Sequence, residues 1–561
     1  MGNNKFVIYQ VLPRLFGNDS VECVPGGDIR TNGVGKFADF NALTLRKIKD
    51  KGVTHIWYTG IIEHASKTEY PGLPATHPAI VKGNAGSPYA IRDYYDVSAD
   101  LALNVEDRMR EFEDLVARTH RNGLKVIIDF VPNHVSRQYV SDAKPAGVED
   151  LGANDDQTKA FSPYNNFYYI PGTKLAGNFD MIAGAAHPYE ELPAKVTGND
   201  CFNQYPSVND WFETVKLNYG IDYMNGRTRA FSPIPDTWFK MLDILRFWAG
   251  KGVDGFRCDM AEMVPVEFWN WAISRIKDEF KDVIFIAEVY NPSLYNSYIK
   301  VGGFDYLYDK VGLYDTLRDV VSHGRAASDI SYCWQSLGDI QEHMLNFLEN
   351  HDEQRVASDF FAKDPFRAVP ALAVSALMNV NPFMIYFGQE FGERGMDAEG
   401  YSGRDGRTTI FDYWSVDAVR RWRNGGSYDG RALTARETEL SGIYSAVMHI
   451  ALNERAVTKG RFFDVTYANF DNPAYDTNRL YSFVRGIDNE YIFVLANFAD
   501  HPADAEVVFP QHLFDYFGLR ETIAGAVDLM SGEKKYVHIS SRNKLRLHVD
   551  AFGVRILKIE L

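Results

Sequence analysis

Asp259, Glu288 and Asp352 each close a short apolar run, VDGFRCD, VIFIAE and MLNFLENHD, that reads as a β-strand. Carboxyl groups delivered by three separate strand ends can converge at the mouth of a parallel barrel. There one ionised and one protonated acid can act on the same substrate. Arg257 stands two residues before the first acid, and side chains alternate along a strand, so both point the same way. A guanidinium beside a carboxylate favours the ionised form a nucleophile needs, so Arg257 is expected to depress the Asp259 pKa. Glu288, crowded by two other acids at the end of an apolar run, is expected to keep its proton near neutrality. The plainer reading of a lone acid at a strand end is a helix cap or a salt-bridge partner.

The elements that must hold these residues follow a recurring helix–glycine–strand unit. Phe37, Phe40, Leu45 and Ile48 mark one helix face, which Gly52 ends before VTHIWYT. Asn104 is expected to cap a second helix that stops at Gly123 before LKVIIDF. Asp236 and Thr237 open a third, and a fourth from about Val266 leads into VIFIAE. Near-continuous apolar strands between amphipathic helices imply a parallel sheet covered on both faces. FVIYQVL, VTHIWYT, LKVIIDF, VDGFRCD, VIFIAE, FDYLYD, MLNFLEN and PFMIYFG supply the eight strands that close a (β/α)8 TIM barrel. An open doubly wound sheet is weakened as an alternative, because no GxGxxG or P-loop follows any strand.

Roughly ninety residues separate His134 from the next helix, far beyond a normal βα connection. The expected organisation is a barrel over residues 1–134 and 226–460, with an inserted subdomain at 135–225 after strand 3. A C-terminal antiparallel β-sandwich domain follows at 461–561, from short strands such as LYSFVRG, EYIFVLANF and VRILKIEL.

Composition narrows the function classes. A formal charge of −16 with no basic stripe argues against a nucleic-acid partner. No apolar run reaches the length of about 18 residues that a membrane span needs. Four scattered cysteines carry no metal spacing and suggest no disulfide framework. The opening MGNNKFVIYQ lacks a leader pattern, so the expected location is cytoplasmic, although a trimmed secreted form would look the same. Oligomeric state is not specified. Aromatic content of 14% suits sugar rings, though most such rings pack cores.

Read in order, the strand ends give Asp129-Phe-Val-Pro-Asn133-His134, Gly255-Phe-Arg257-Cys-Asp259, Glu288 and Asn350-His351-Asp352. In spacing and order this strongly resembles the α-amylase family, glycoside hydrolase family 13, across essentially the whole chain. The resemblance implies that Asp259 is the nucleophile, Glu288 the general acid/base and Asp352 the stabiliser of the distorted sugar. It further implies that His134 and His351 hydrogen-bond the sugar in the −1 subsite. Tyr89 would lie beneath that sugar, with Asp93 following at the family's spacing. Asp129 and Asn350 would brace the site, Asp129 through Arg257. Asn133 matches a calcium ligand, so calcium is the one cofactor implied, and no organic cofactor is expected. Cys258 faces away from Asp259 and should be a buried small hydrophobe.

Several positions depart from the family pattern. Glu262-Met263 stand where many starch-degrading members have Lys-His, Ser87 replaces a frequent histidine, and Lys216-Leu217-Asn218 alter the end of the insertion. Trp211, Tyr205 and Tyr219 are open to two readings, sugar platforms or core. The loop GYSGRDGRTTIFDYW is expected to wall the barrel mouth. The leading expectation is a retaining hydrolase of α-1,4-glucosidic bonds in starch- or glycogen-type glucans or maltooligosaccharides. The alternatives are a transglycosylase using the same intermediate, or a non-catalytic homologue that uses the barrel for binding.

Overall fold

The structure is a computed structural model that describes residues 5–177 and 188–561. The first four residues, on which the leader reading partly rests, and the middle of the insertion lie outside the described residues. Eight parallel strands close a barrel in chain order: β1 (Val7–Val11), β2 (His55–Tyr58), β3 (Lys125–Phe130), β4 (Gly255–Cys258), β5 (Ile284–Ala287), β6 (Tyr306–Tyr308), β7 (Met344–Phe347) and β8 (Phe383–Tyr386). Each of the eight runs picked from the sequence forms one of them, and β8 pairs back onto β1. Ile127, Ile128, Phe256, Phe285 and Ile385 are fully buried, as strands covered on both faces require. Gly255 opens β4 where a Cβ would stand 2.6 Å from the Ile284 side chain.

Helices Ala42–Lys49, Arg108–Arg121, Asp236–Gly250 and Val266–Glu279 occupy the expected places. One onset differs. The Asn104 side chain accepts from the Glu106 N–H and starts a 3-10 turn, Val105–Asp107, so the α-helix begins only at Arg108.

The insertion leaves the barrel just after β3, and its two ends are tied together. Strand His134–Ser136 pairs antiparallel with Thr214–Lys216, which sets His134 opposite Lys216. Beyond the barrel, a six-stranded antiparallel sheet and a two-stranded ribbon, Ala503–Val507 with Leu545–Val549, share a core of Phe493, Leu495, Leu547 and Leu557. Arg485 pins this domain to the barrel. Its buried guanidinium donates to the backbone oxygens of Met378 at 2.9 Å, Val457 at 3.0 Å and Gly460 at 2.6 Å.

Candidate active site

Arg257 is the hub of the barrel mouth. It lies in register with Asp129 on β3 and Ile286 on β5, fully buried. The ladder continues past the strand ends, Asp259 N–H donating to Phe130 O and Glu288 N–H to Cys258 O, so both acids leave neighbouring strands at one level. Arg257 Nη1 donates to Asp259 Oδ1 at 2.7 Å and to Asp129 Oδ1 at 3.5 Å. Its Nη2 lies 2.8 Å from Glu288 Oε2 and 4.0 Å from Asp352 Oδ2. The Arg257 Nε donates to Tyr308 Oη at 3.1 Å. One guanidinium therefore touches all three predicted catalytic acids and the bracing one.

The remaining partners orient these groups. Glu288 accepts from Met260 N–H at 2.8 Å and from the Tyr290 hydroxyl. Met260 itself takes a left-handed backbone, φ 43°. Asn350 Oδ1 accepts from the backbone N–H groups of Asp352 and Glu353, both at 2.9 Å, and so shapes the turn that presents Asp352. His351 Nδ1 pairs with Gln10 Nε2 at 2.8 Å, which leaves Nε2 to carry the hydrogen towards Asp352 Oδ2 at 3.1 Å. Asp129 accepts from Trp57 Nε1 at 3.0 Å and Tyr89 Oη at 3.3 Å. The Tyr89 ring stacks on His351, centroids 5.0 Å apart.

Electrostatics change one expectation. Arg257 does pull the Asp259 carboxyl down, but burial pushes it up by more, so it lies above the ordinary carboxylate value. The expected depression is corrected, because desolvation at a closed barrel mouth outweighs one shared guanidinium. Burial likewise raises Glu288, opposed by Arg257 and reinforced by Asp259. Asp352 is raised to about 8 by the enclosing protein and then by Glu288, although 41% of its side chain faces solvent. Burial pushes Asp129 to about 7 and lowers His134 to about 4. Burial, followed by Arg257, holds His351 well below its usual value.

A cleft of about 310 Å³ opens over these groups, lined by Tyr89, His134, Asp259, Glu288 and Asp352. Ser87 lines it too, as do Ile410 and Phe411 of the polar loop after β8. Trp211 lines the cleft and tilts against His134, with centroids 5.2 Å apart. Of the other two rings left open, Tyr219 is buried and donates to Pro132 O, whereas Tyr205 is 65% exposed. Glu262 accepts from Tyr290 and Asn291 N–H and so caps a turn. Cys258 is fully buried.

Sequence reasoning missed Trp57, Tyr308, Tyr290 and Gln10, and an ion pair of Lys82 with Glu213 at 2.7 Å in the cleft wall. Strand alternation could have found Tyr290, two residues beyond Glu288. No local signal points to Gln10 or Lys82.

Asn133 does not fit a metal ion. Its Oδ1 accepts from the Lys216 ammonium at 2.9 Å, and its Nδ2 donates to Gly198 O. Lys216 also lies 2.6 Å from Asp200 Oδ1 and is almost wholly buried. A fixed cation of the chain already holds the oxygens that would ligate a metal there.

A closed eight-stranded barrel with three acids converging beneath one cleft defines a glycosidase. The chain belongs to the α-amylase family, whose "Alpha amylase, catalytic domain" model matches residues 31–424. It is 24% identical over 476 residues to Alpha-amylase 3 of Dictyoglomus thermophilum, covering 81% of this chain and 78% of that one. It is 38% identical over 202 residues to an alpha-1,4-glucan:maltose-1-phosphate maltosyltransferase of Cereibacter sphaeroides, 34% of this chain and 32% of that one. The chain spans 44% of the length of each of two further curated α-amylases. In fold it resembles the α-amylase of Geobacillus thermoleovorans crystallised with acarbose, TM-score 0.64 at 18% identity, over 100% of this chain and 99% of that one. Among the described residues no helix is long and apolar enough to cross a membrane.

Proposed function

We propose that the protein is a retaining glycoside hydrolase of α-1,4-glucosidic bonds in starch- or glycogen-type glucans or maltooligosaccharides. The observation that carries this is the sharing of Arg257 by Asp259 and Glu288, at 2.7 and 2.8 Å. Retention requires two carboxyls only about 5–5.5 Å apart, and a guanidinium shared by both acids keeps them close enough for one substrate to meet both. Asp259 attacks the anomeric carbon as the bond to the leaving oxygen breaks, and Glu288 gives its proton to that oxygen. Water then enters, returns a proton to Glu288 and displaces Asp259 from the anomeric carbon. Asp352 and His351 hold the sugar hydroxyls, and Tyr89 supports the ring from below.

The test is the anomer first released from maltooligosaccharide, followed by NMR. An α product, with a glycosyl adduct on Asp259 when a slowly turned-over fluorinated sugar is used, supports the reading. A β product, or an adduct elsewhere, overturns it. A second reading, transfer to another sugar or to phosphate, is favoured by the 38% identity to the maltosyltransferase over part of the chain. Products longer than the substrate, or a glycosyl phosphate, would identify it.

A further inference from the structure

Away from the cleft, four acids meet where the hairpin of Ile62–His64 and Ile91–Val97 touches the first loop of the insertion. Glu63, Asp93, Asp96 and Asp142 bring carboxylate oxygens within 4.8 Å of one another, and only Asp142 is exposed. Glu63 and Asp93 face each other across the hairpin. Among the described residues, the guanidiniums beside them are Arg92, 3.8 Å from Glu63, and Arg108, paired with Asp96. Four carboxyl groups thus face two guanidiniums in a largely dry site, an arrangement that costs free energy when all four are ionised unless another cation joins it.

A second observation points to that cation. Glu63 is 8% exposed, yet its Oε2 is buried with no hydrogen-bond partner. An orphaned carboxylate oxygen among three further carboxylates is a vacant ligand position. Burial pushes the Glu63 carboxyl up to about 8, with Asp93 adding to the push, and burial raises Asp93 to about 6.

We propose that Glu63, Asp93, Asp96 and Asp142 bind one divalent cation of the calcium type. The donors are all hard oxygens, as such an ion prefers. The site is separate from Asn133 and Asp200, where Lys216 supplies the charge. Its role is mechanical. Asp142 and Ala143 N–H groups already donate to Asp93 Oδ2 at 2.9 and 3.2 Å, docking the insertion on the strand that follows Tyr89. A cation there ties the insertion wall to the segment carrying the ring beneath the substrate.

The experiment is equilibrium dialysis of the full chain with calcium after chelation, with terbium luminescence and thermal melting in parallel. The expected result is one ion per chain and a melting temperature that chelator lowers and calcium restores. Glu63→Gln and Asp142→Asn should each weaken binding by at least about tenfold; Asp142 is exposed, so its variant leaves the core intact. Asp200→Asn should bind as the parent does. Absence of binding at about 1 mM calcium near neutral pH overturns the proposal, leaving a proton shared by Glu63 and Asp93 in the ion's place. Binding that survives both carboxylate variants but is lost in Asp200→Asn also overturns it.

Discussion

Glu288 Oε2 lies 2.8 Å from Arg257 Nη2, the guanidinium whose other arm holds Asp259. The group that orients Asp259 therefore also sets the proton affinity of Glu288, and neither carboxyl titrates alone. Replacing Arg257 with Lys supplies the charge but only one ammonium in place of a planar fork. Arg257→Lys should lower kcat/KM on maltooligosaccharides by about 10²–10³-fold, and near-parental turnover would refute the shared-fork account.

Tyr290 donates to Glu288, and that hydrogen bond lowers the Glu288 pKa. In Tyr290→Phe the carboxyl should hold its proton to higher pH, so the basic limb of the pH–rate profile moves upward. Activity at the optimum should fall by less than about a hundredfold, because the Glu288 carboxyl itself remains. A basic limb that stays put or moves downward would show that Tyr290 does not govern this proton.

Stability should decline as pH rises above neutrality in the presence of chelator. Asp129, Glu349 and Asp352 are raised to about 7, 7 and 8, chiefly by burial. Each is raised above its unfolded value of about 4, so its stabilising contribution is complete below that value and disappears as pH climbs through the folded one. His134, lowered to about 4, acts in the opposite sense, but only below the unfolded histidine value of about 6.5. Between about pH 6.5 and 8 His134 no longer offsets the carboxyls, and the urea midpoint should fall across that window. A flat or rising midpoint would contradict these shifts.

Lys216→Met should destabilise the insertion. It removes the donor to Asn133 Oδ1 and the cation beside Asp200, at a cost of about 1–3 kcal/mol, limited because the Asp200 side chain is 32% exposed. His134 sits opposite Lys216 across the neck, so KM should rise more than kcat falls. Denaturation midpoints and steady-state kinetics check both, and an unchanged KM would uncouple the neck from the cleft.

Much of this was legible in one dimension. Apolar runs, glycines after helices and acids at strand ends are local features, so the barrel strands and the positions of Asp259, Glu288 and Asp352 could be read from periodicity. Asn104 marks the limit of local reading. Its side chain does cap, yet the turn it begins is 3-10 rather than the first turn of the α-helix.

By itself, then, the sequence determined which residues close the strands and which of them carry carboxyl groups, because strand and helix periods are properties of neighbouring residues. Only the tertiary structure decided that burial overrides Arg257 at Asp259, that Lys216 takes the oxygen of Asn133, and that Glu63 meets Asp142. Desolvation and charge depend on what surrounds a group in space, and here those surroundings come from segments far apart along the chain.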